Sequence, residues 1–137
     1  MDEFVLQAAR VTSGLLAGLY FAFAVSVMPA LKRLPDTTFI EVMRTINLVI
    51  VNPVFLVVFL GAPASAAAVL LYDRSGWAIA GAALGVLTLL VTAIFNIPLN
   101  NELEGGRKPG PFEVPWVRWN IVRTLTGIAS LVCLVLV

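Results

Sequence analysis

The sequence predicts an all-α integral membrane protein folded as a four-helix bundle, and three observations carry that prediction. Of its 137 residues, 60% are hydrophobic and only 12% charged. Soluble domains carry about 25% charged residues, so this chain lacks the polar surface a water-soluble globule needs. Four stretches, 11–31, 46–71, 77–99 and 117–137, are mostly apolar over the roughly 20 residues that a helix needs to cross a bilayer. The breaks between them hold turn formers: Pro35 and Asp36 in KRLPDTT, Gly76 in YDRSG, and three glycines with three prolines in NELEGGRKPGPFEVP.

Each span has its own signature. The first follows an acidic start, Asp2-Glu3, where a signal peptide would be basic, and is read as a retained span. Its Gly14 and Gly18 form a small-residue face suited to close helix approach. The second opens with Arg44 and Asn47 and contains Asn52 before Pro53, a pair read as local backbone repair. In the third, Gly81, Gly85, Thr88, Thr92 and Asn96 recur at steps of three or four and share one stripe, which should face partner helices. Before the fourth, residues 100–115 form the one long connection, expected as an irregular loop within a single domain spanning 1–137.

Composition also excludes several functions. The chain has no histidine and a single cysteine, Cys133, in an apolar run. No internal disulfide, no Cys/His metal cluster and hence no metal site is expected. A net charge of +1 gives no reason to expect nucleic acid as a partner. The bilayer is the first expected partner, and a homodimer through Gly14/Gly18 or Gly81/Gly85 is a second. Lys32, Arg33, Arg44, Arg107, Lys108 and Arg118 gather at one end, against Arg10 and Arg74 at the other. The positive-inside bias therefore puts loops 32–45 and 100–115 in the cytoplasm and both termini outside a multi-pass cell-membrane protein.

The two halves also resemble each other. VMPALKRL (27–34) aligns with NIPLNNEL (96–103), matching Pro29 to Pro98, and eight residues separate Phe39 from Asn47 as they do Phe112 from Asn120. Two parallel helical hairpins related by a pseudo-two-fold axis along the membrane normal would follow, with Asn47 and Asn120 as equivalents facing one another. Pro98 frees the carbonyl of Ile94, which the amide of Asn100 or Asn120 is expected to satisfy.

Polar side chains concentrate where four helix ends meet. On a helical wheel Trp116, Trp119, Asn120, Arg123, Thr124 and Gly127 share one arc, while Arg118 points the other way. Arg123 lies about 10 Å along the helix from Trp116 at the usual rise. It either snorkels to the headgroups or turns into the bundle with its polar neighbours. Asn96 and Asn100 close the third span, Arg44 and Asn47 open the second, and Ser26 ends the first. These groups are expected to line a pocket just beneath loops one and three.

The pair NIPLN (96–100) and WVRWNIVR (116–123) resembles the signature of the anthrone oxygenase-like family of small four-span membrane proteins. The resemblance covers nearly the whole chain, including VMPAL, and is sharpest from Thr92 to Thr124. It implies conversion of an anthrone to an anthraquinone with molecular oxygen, with no cofactor, and carries over to Asn96, Asn100, Trp116, Trp119, Asn120 and Arg123. On that implication Arg123, with Asn120 and Asn96, stabilises the substrate anion as the catalytic set. Trp116 and Trp119 stack on a small aromatic substrate, and Asn100, Asn47, Thr92 and Thr124 complete its binding site. Glu41 and Glu102 are the carboxylates nearest that end, and both also read as solvated loop charges. Two other classes fit the same residues: a small-molecule binding or transport module, and an accessory subunit whose polar cluster only locks the helices together.

The orientation is testable by labelling. In a Cys133→Ala background, Arg33→Cys and Lys108→Cys should react with an impermeant maleimide only after cell lysis, whereas Asp73→Cys should react in intact cells.

Overall fold

A computed structural model describes residues 2–137 as five helices with no strand among them. Helix α1 runs Glu3–Lys32, α2 Asp36–Ile50, α3 Pro53–Val69, α4 Gly76–Glu104 and α5 Pro109–Val135. The starts are capped as their sequences direct. Asp2 Oδ1 accepts from the Phe4 amide at 3.0 Å, and Ser75 Oγ accepts from the Ala78 amide at 3.3 Å.

The second expected span is broken. Helices α2 and α3 meet at 72° instead of running on from 46 to 71. Proline disfavours helical geometry in the residue before it, and Asn52 is extended, at φ −133° and ψ 162°. Its side chain then repairs both ends: Oδ1 accepts from the Phe55 amide at 3.0 Å, and Nδ2 donates to the Val49 carbonyl at 3.0 Å. Helix α2 consequently swings off the bundle axis and packs on α4, α5 and the end of α1 through Phe39 and Met43.

The expected irregular loop at 100–115 is mostly helix as well. Helix α4 persists to Glu104 and α5 begins at Pro109, leaving a short turn. Pro109 and Pro111 occupy the opening turn of α5, where amide hydrogens have no intrahelical acceptor and proline costs little. Gly106, at φ +103°, adopts a backbone that other residues rarely take, and it closes the turn. The ion pair of Arg107 with Glu102 and the bond from the Arg107 amide to the Glu102 carbonyl hold it shut.

Prolines also reshape the two longest helices. The Met28 amide bonds to the Phe23 carbonyl and the Ile97 amide to the Thr92 carbonyl, each a five-residue step directly before Pro29 or Pro98. Five-residue π segments, Phe23–Val27 and Thr92–Asn96, therefore absorb both prolines without breaking either helix. Neither Asn100 nor Asn120 bonds to the Ile94 carbonyl: Asn120 Nδ2 donates to the Tyr20 carbonyl, and Asn100 Oδ1 accepts from Trp116 Nε1. The matched halves thus share a π segment before a proline, and their equivalent Phe39 and Phe112 pack edge to face at 6.1 Å. They part at Asn52, since α5 continues where α2 stops.

Helix α1 packs on α3 and α5, and α4 packs on the same two, closing a four-membered ring. The stripe on α4 faces α5 as expected: Ser130 Oγ donates to the Gly81 carbonyl at 2.7 Å, and a Cβ on Gly81 would lie 3.1 Å from Leu134 Cδ2. That glycine face, read as a dimer surface, is therefore occupied within the chain. The outer surface stays apolar, with Val11, Leu15, Phe21, Leu56, Leu60, Leu90, Leu125 and Val132 exposed, as lipid contact requires. Helices α1 and α4 are long and apolar enough to cross a membrane, and the bent α2–α3 pair is a third candidate. Helix α5 is not among them, which its Arg118, Asn120 and Arg123 explain.

Gly81→Val should destabilise the bundle by about 1–3 kcal/mol, because two methyl groups must displace Leu134. Thermal unfolding in detergent measures this, and Gly18→Ala, with nothing within 4 Å of the new carbon, serves as the neutral control.

Candidate functional site

Arg123 organises the interior. It sits near mid-length of α5, is only 7% exposed, and so does not snorkel. Its side chain reaches back along α5, where Nε donates to Asn120 Oδ1 at 2.9 Å. Nη1 donates to Thr92 Oγ1 on α4 at 3.2 Å. The guanidinium carbon lies 4.0 Å from the centre of the Tyr20 ring and 5.2 Å from that of Trp116. No carboxylate pairs with it among the described residues. A buried cation is thus held by two oxygen acceptors and two aromatic faces, with no opposite charge.

A ring of amides fixes that arrangement. Asn120 is fully buried, and its Nδ2 donates to the Tyr20 carbonyl at 3.0 Å, tying α5 to α1. Asn96 Nδ2 donates to the Trp116 carbonyl at 3.2 Å, tying α4 to α5, while its Oδ1 is buried without a partner. Trp116 Nε1 donates to Asn100 Oδ1 at 2.8 Å. Thr124 Oγ1 donates to the Asn120 carbonyl at 2.6 Å and stays within its own helix.

Beside this cluster lies a cavity of about 80 Å³, bounded by Tyr20, Asn47, Thr92, Asn100, Trp116 and Arg123 among others. Its apolar walls include Phe23 from the π segment of α1, and Ile50 and Phe55 from either side of the α2–α3 bend. Outward it adjoins a groove of about 550 Å³, with which it shares Asn47, Ile50 and Asn100. Arg44, Asn101 and Glu104 line the groove's polar rim, and Leu48, Val51 and Ile97 its apolar side. Arg44 Nη2 donates to the carbonyls of Leu103 and Glu104, both at 3.0 Å, and so fastens α2 to the end of α4.

Five of the nine residues read from sequence line the inner cavity: Asn47, Thr92, Asn100, Trp116 and Arg123. Asn96, Asn120 and Thr124 stand behind it as supports. Trp119 belongs elsewhere: its ring stacks on Phe95 at 3.5 Å and borders an outer groove with Arg118 and Val122. The wheel placed Trp119 on the Asn120 arc, but its step from Trp116 carries it past the edge of the buried face. Ser26 is exposed, and Asn47 is half-buried and lines the cavity, which its counterpart Asn120 does not. The cluster also lies deeper than expected, near mid-length of α1, α4 and α5, and only the outer groove reaches the loop end.

Sequence reasoning passed over Tyr20, which is 2% exposed and has a buried hydroxyl without a partner. The available signal was that Tyr20 is the only ionisable residue in the stretch 11–31. Glu41 and Glu102 are both exposed and take no part in the cavity. No group of three His, Cys, Asp or Glu side chains comes together among the described residues.

This is a helical membrane bundle with a polar interior built around one buried arginine. The family model described as "Anthrone oxygenase" matches residues 46–133, from late α2 through most of α5, and the chain belongs to that family. No curated protein and no solved structure matches the chain.

Asn120→Ala should cost about 1–3 kcal/mol, since it strips Arg123 Nε and the Tyr20 carbonyl of buried partners. Thr124→Ala loses a bond within one helix only, and should cost clearly less in the same unfolding measurement.

Proposed function

We propose that this chain binds a small, flat hydroxyaromatic molecule of the anthrone type and oxidises it with molecular oxygen to the quinone, without a bound metal or flavin. The observation that carries this reading is Arg123, a buried guanidinium with no carboxylate partner, bordering a cavity that adjoins a larger groove. Such a cation favours an anion that arrives with the ligand. Family membership supports the choice of reaction.

The dimensions suit a ligand that enters by one end. A cavity of about 80 Å³ is below the ~300 Å³ at which small-molecule sites usually begin, while the groove of about 550 Å³ is within range. On this reading the oxygen-bearing edge of the ligand points at Arg123, and its remaining rings lie between Asn47, Ile50 and Asn100. Arg123 Nη2 makes no hydrogen bond among the described residues and supplies the donor. Deprotonation of the methylene carbon spreads negative charge onto the conjugated oxygen, and the guanidinium favours that state over the neutral ground state. Overall, the methylene group and one molecule of dioxygen become a carbonyl group and one molecule of water. Dioxygen dissolves in the lipid against which the bundle stands.

Membranes containing the protein should consume oxygen and form quinone in equal amounts when given an anthrone. Arg123→Gln should lower kcat by about 100-fold or more while leaving the amount of folded protein unchanged. A rate equal to that of empty membranes overturns the enzymatic reading. Loss of folded protein with Arg123→Gln favours a purely structural cluster, a reading that its bonds across α4 and α5 also allow.

A further inference from the structure

We propose that Tyr20 is the proton-transfer residue of this cavity, acting as a phenolate beside Arg123 to take the proton from the substrate's methylene carbon. The assignment rests on the oxygenase reading and supplies what that reading lacks, a base.

Three observations point to it. Tyr20 is buried to 2% exposure, borders the cavity, and its hydroxyl has no hydrogen-bond partner. A buried hydroxyl left unpaired is unfavourable, so the group is open to a partner that the ligand brings. Second, the guanidinium carbon of Arg123 stands 4.0 Å from the centre of the Tyr20 ring, close enough for a phenolate to serve as the missing counter-charge. Third, the inventory is short. Of the residues lining the cavity only Tyr20 and Arg123 can exchange a proton, and guanidinium does not deprotonate in proteins. Helix α3 faces the cavity with Phe55, α4 with Thr92 and Asn100, and α2 with Ile46, Asn47 and Ile50, all without charge. Arg44 and Glu104 line the outer groove and pair with each other.

The chemistry balances on this one residue. The phenolate takes one methylene proton, and the C–H electron pair passes into an enolate whose oxygen Arg123 holds. Dioxygen takes one electron from that anion, and the two radicals join to form a C–O bond as a peroxide anion. Tyr20 returns its proton to the outer peroxide oxygen. The phenolate then takes the remaining C–H proton as the O–O bond breaks, leaving the new carbonyl and hydroxide, and protonates that hydroxide. Carbon loses four electrons, dioxygen gains four, and one oxygen atom leaves as water with both methylene hydrogens.

Tyr20→Phe keeps the ring beneath the guanidinium and removes only the hydroxyl. It should lower kcat by about 100-fold or more, keep KM within about threefold, and abolish the pH dependence that the phenol imposes on kcat. Fluorotyrosine placed at position 20 gives a more acidic phenol, and should move the rate profile to lower pH without disturbing packing. A third measurement needs no turnover: in a Tyr72→Phe background, a tyrosinate absorption band should titrate in the intact protein and vanish with Tyr20→Phe. An unchanged kcat in Tyr20→Phe, an unshifted profile with fluorotyrosine, or the absence of any titrating tyrosinate band in the folded Tyr72→Phe protein each overturns the assignment. If intact membranes oxidise no anthrone, the oxygenase reading falls by itself, and the titration still decides whether Tyr20 ionises.

Discussion

A positive charge without a negative partner, held deep in an apolar bundle, is the constraint on which the rest of this structure depends. Placing arginine at the centre of a membrane helix costs roughly 2.5–3.5 kcal/mol on insertion scales. Here that cost is offset by acceptors and aromatic faces: Asn120 Oδ1, Thr92 Oγ1, and the rings of Tyr20 and Trp116. Each partner comes with its own fastening, such as Asn120 on the Tyr20 carbonyl and Asn96 on the Trp116 carbonyl. The polar network therefore joins three helices that lipid-facing surfaces alone would not hold in register. It also leaves Arg123 Nη2 without a hydrogen bond among the described residues.

Proline does much of the shaping. Pro29 and Pro98 sit just past π segments that begin close to the level of Tyr20 and Thr92 in α1 and α4. Pro53 turns α3 away from α2 by 72° beside the same cavity. Had α2 and α3 formed one straight helix, Ile46, Asn47 and Ile50 would have continued along the axis of α3 instead of lying across the groove. The two halves thus differ in form, and both line the cavity: Tyr20, Phe23 and Asn47 from the first, Thr92, Asn100, Trp116 and Arg123 from the second. Arg44, bound to the carbonyls at the end of α4, holds the displaced helix in place.

Much of this was legible in the chain. Apolar runs interrupted by turn formers foretold helices packed in a membrane bundle, and the stripe from Gly81 to Asn96 and the arc from Trp116 to Gly127 foretold which faces of α4 and α5 turn inward. Helical periodicity is local, so a wheel drawn from sequence reads it well. Errors came where a boundary was needed. Pro109 and Pro111 read as loop breakers, yet at the opening turn of a helix they lack no bond. Trp119 fell on the margin of its arc, and a stacking partner from another helix, Phe95, settled its direction.

The sequence by itself determined the class of protein, the inward faces of two helices and the presence of Arg123 among polar neighbours, because these follow from composition and from a period of 3.6 residues. Only the tertiary structure decided that Tyr20, more than a hundred residues away in the chain, lies under the guanidinium, and that no carboxylate among the described residues does. Which charges meet depends on how separate helices pack and bend, and no spacing along one helix encodes the distance to another.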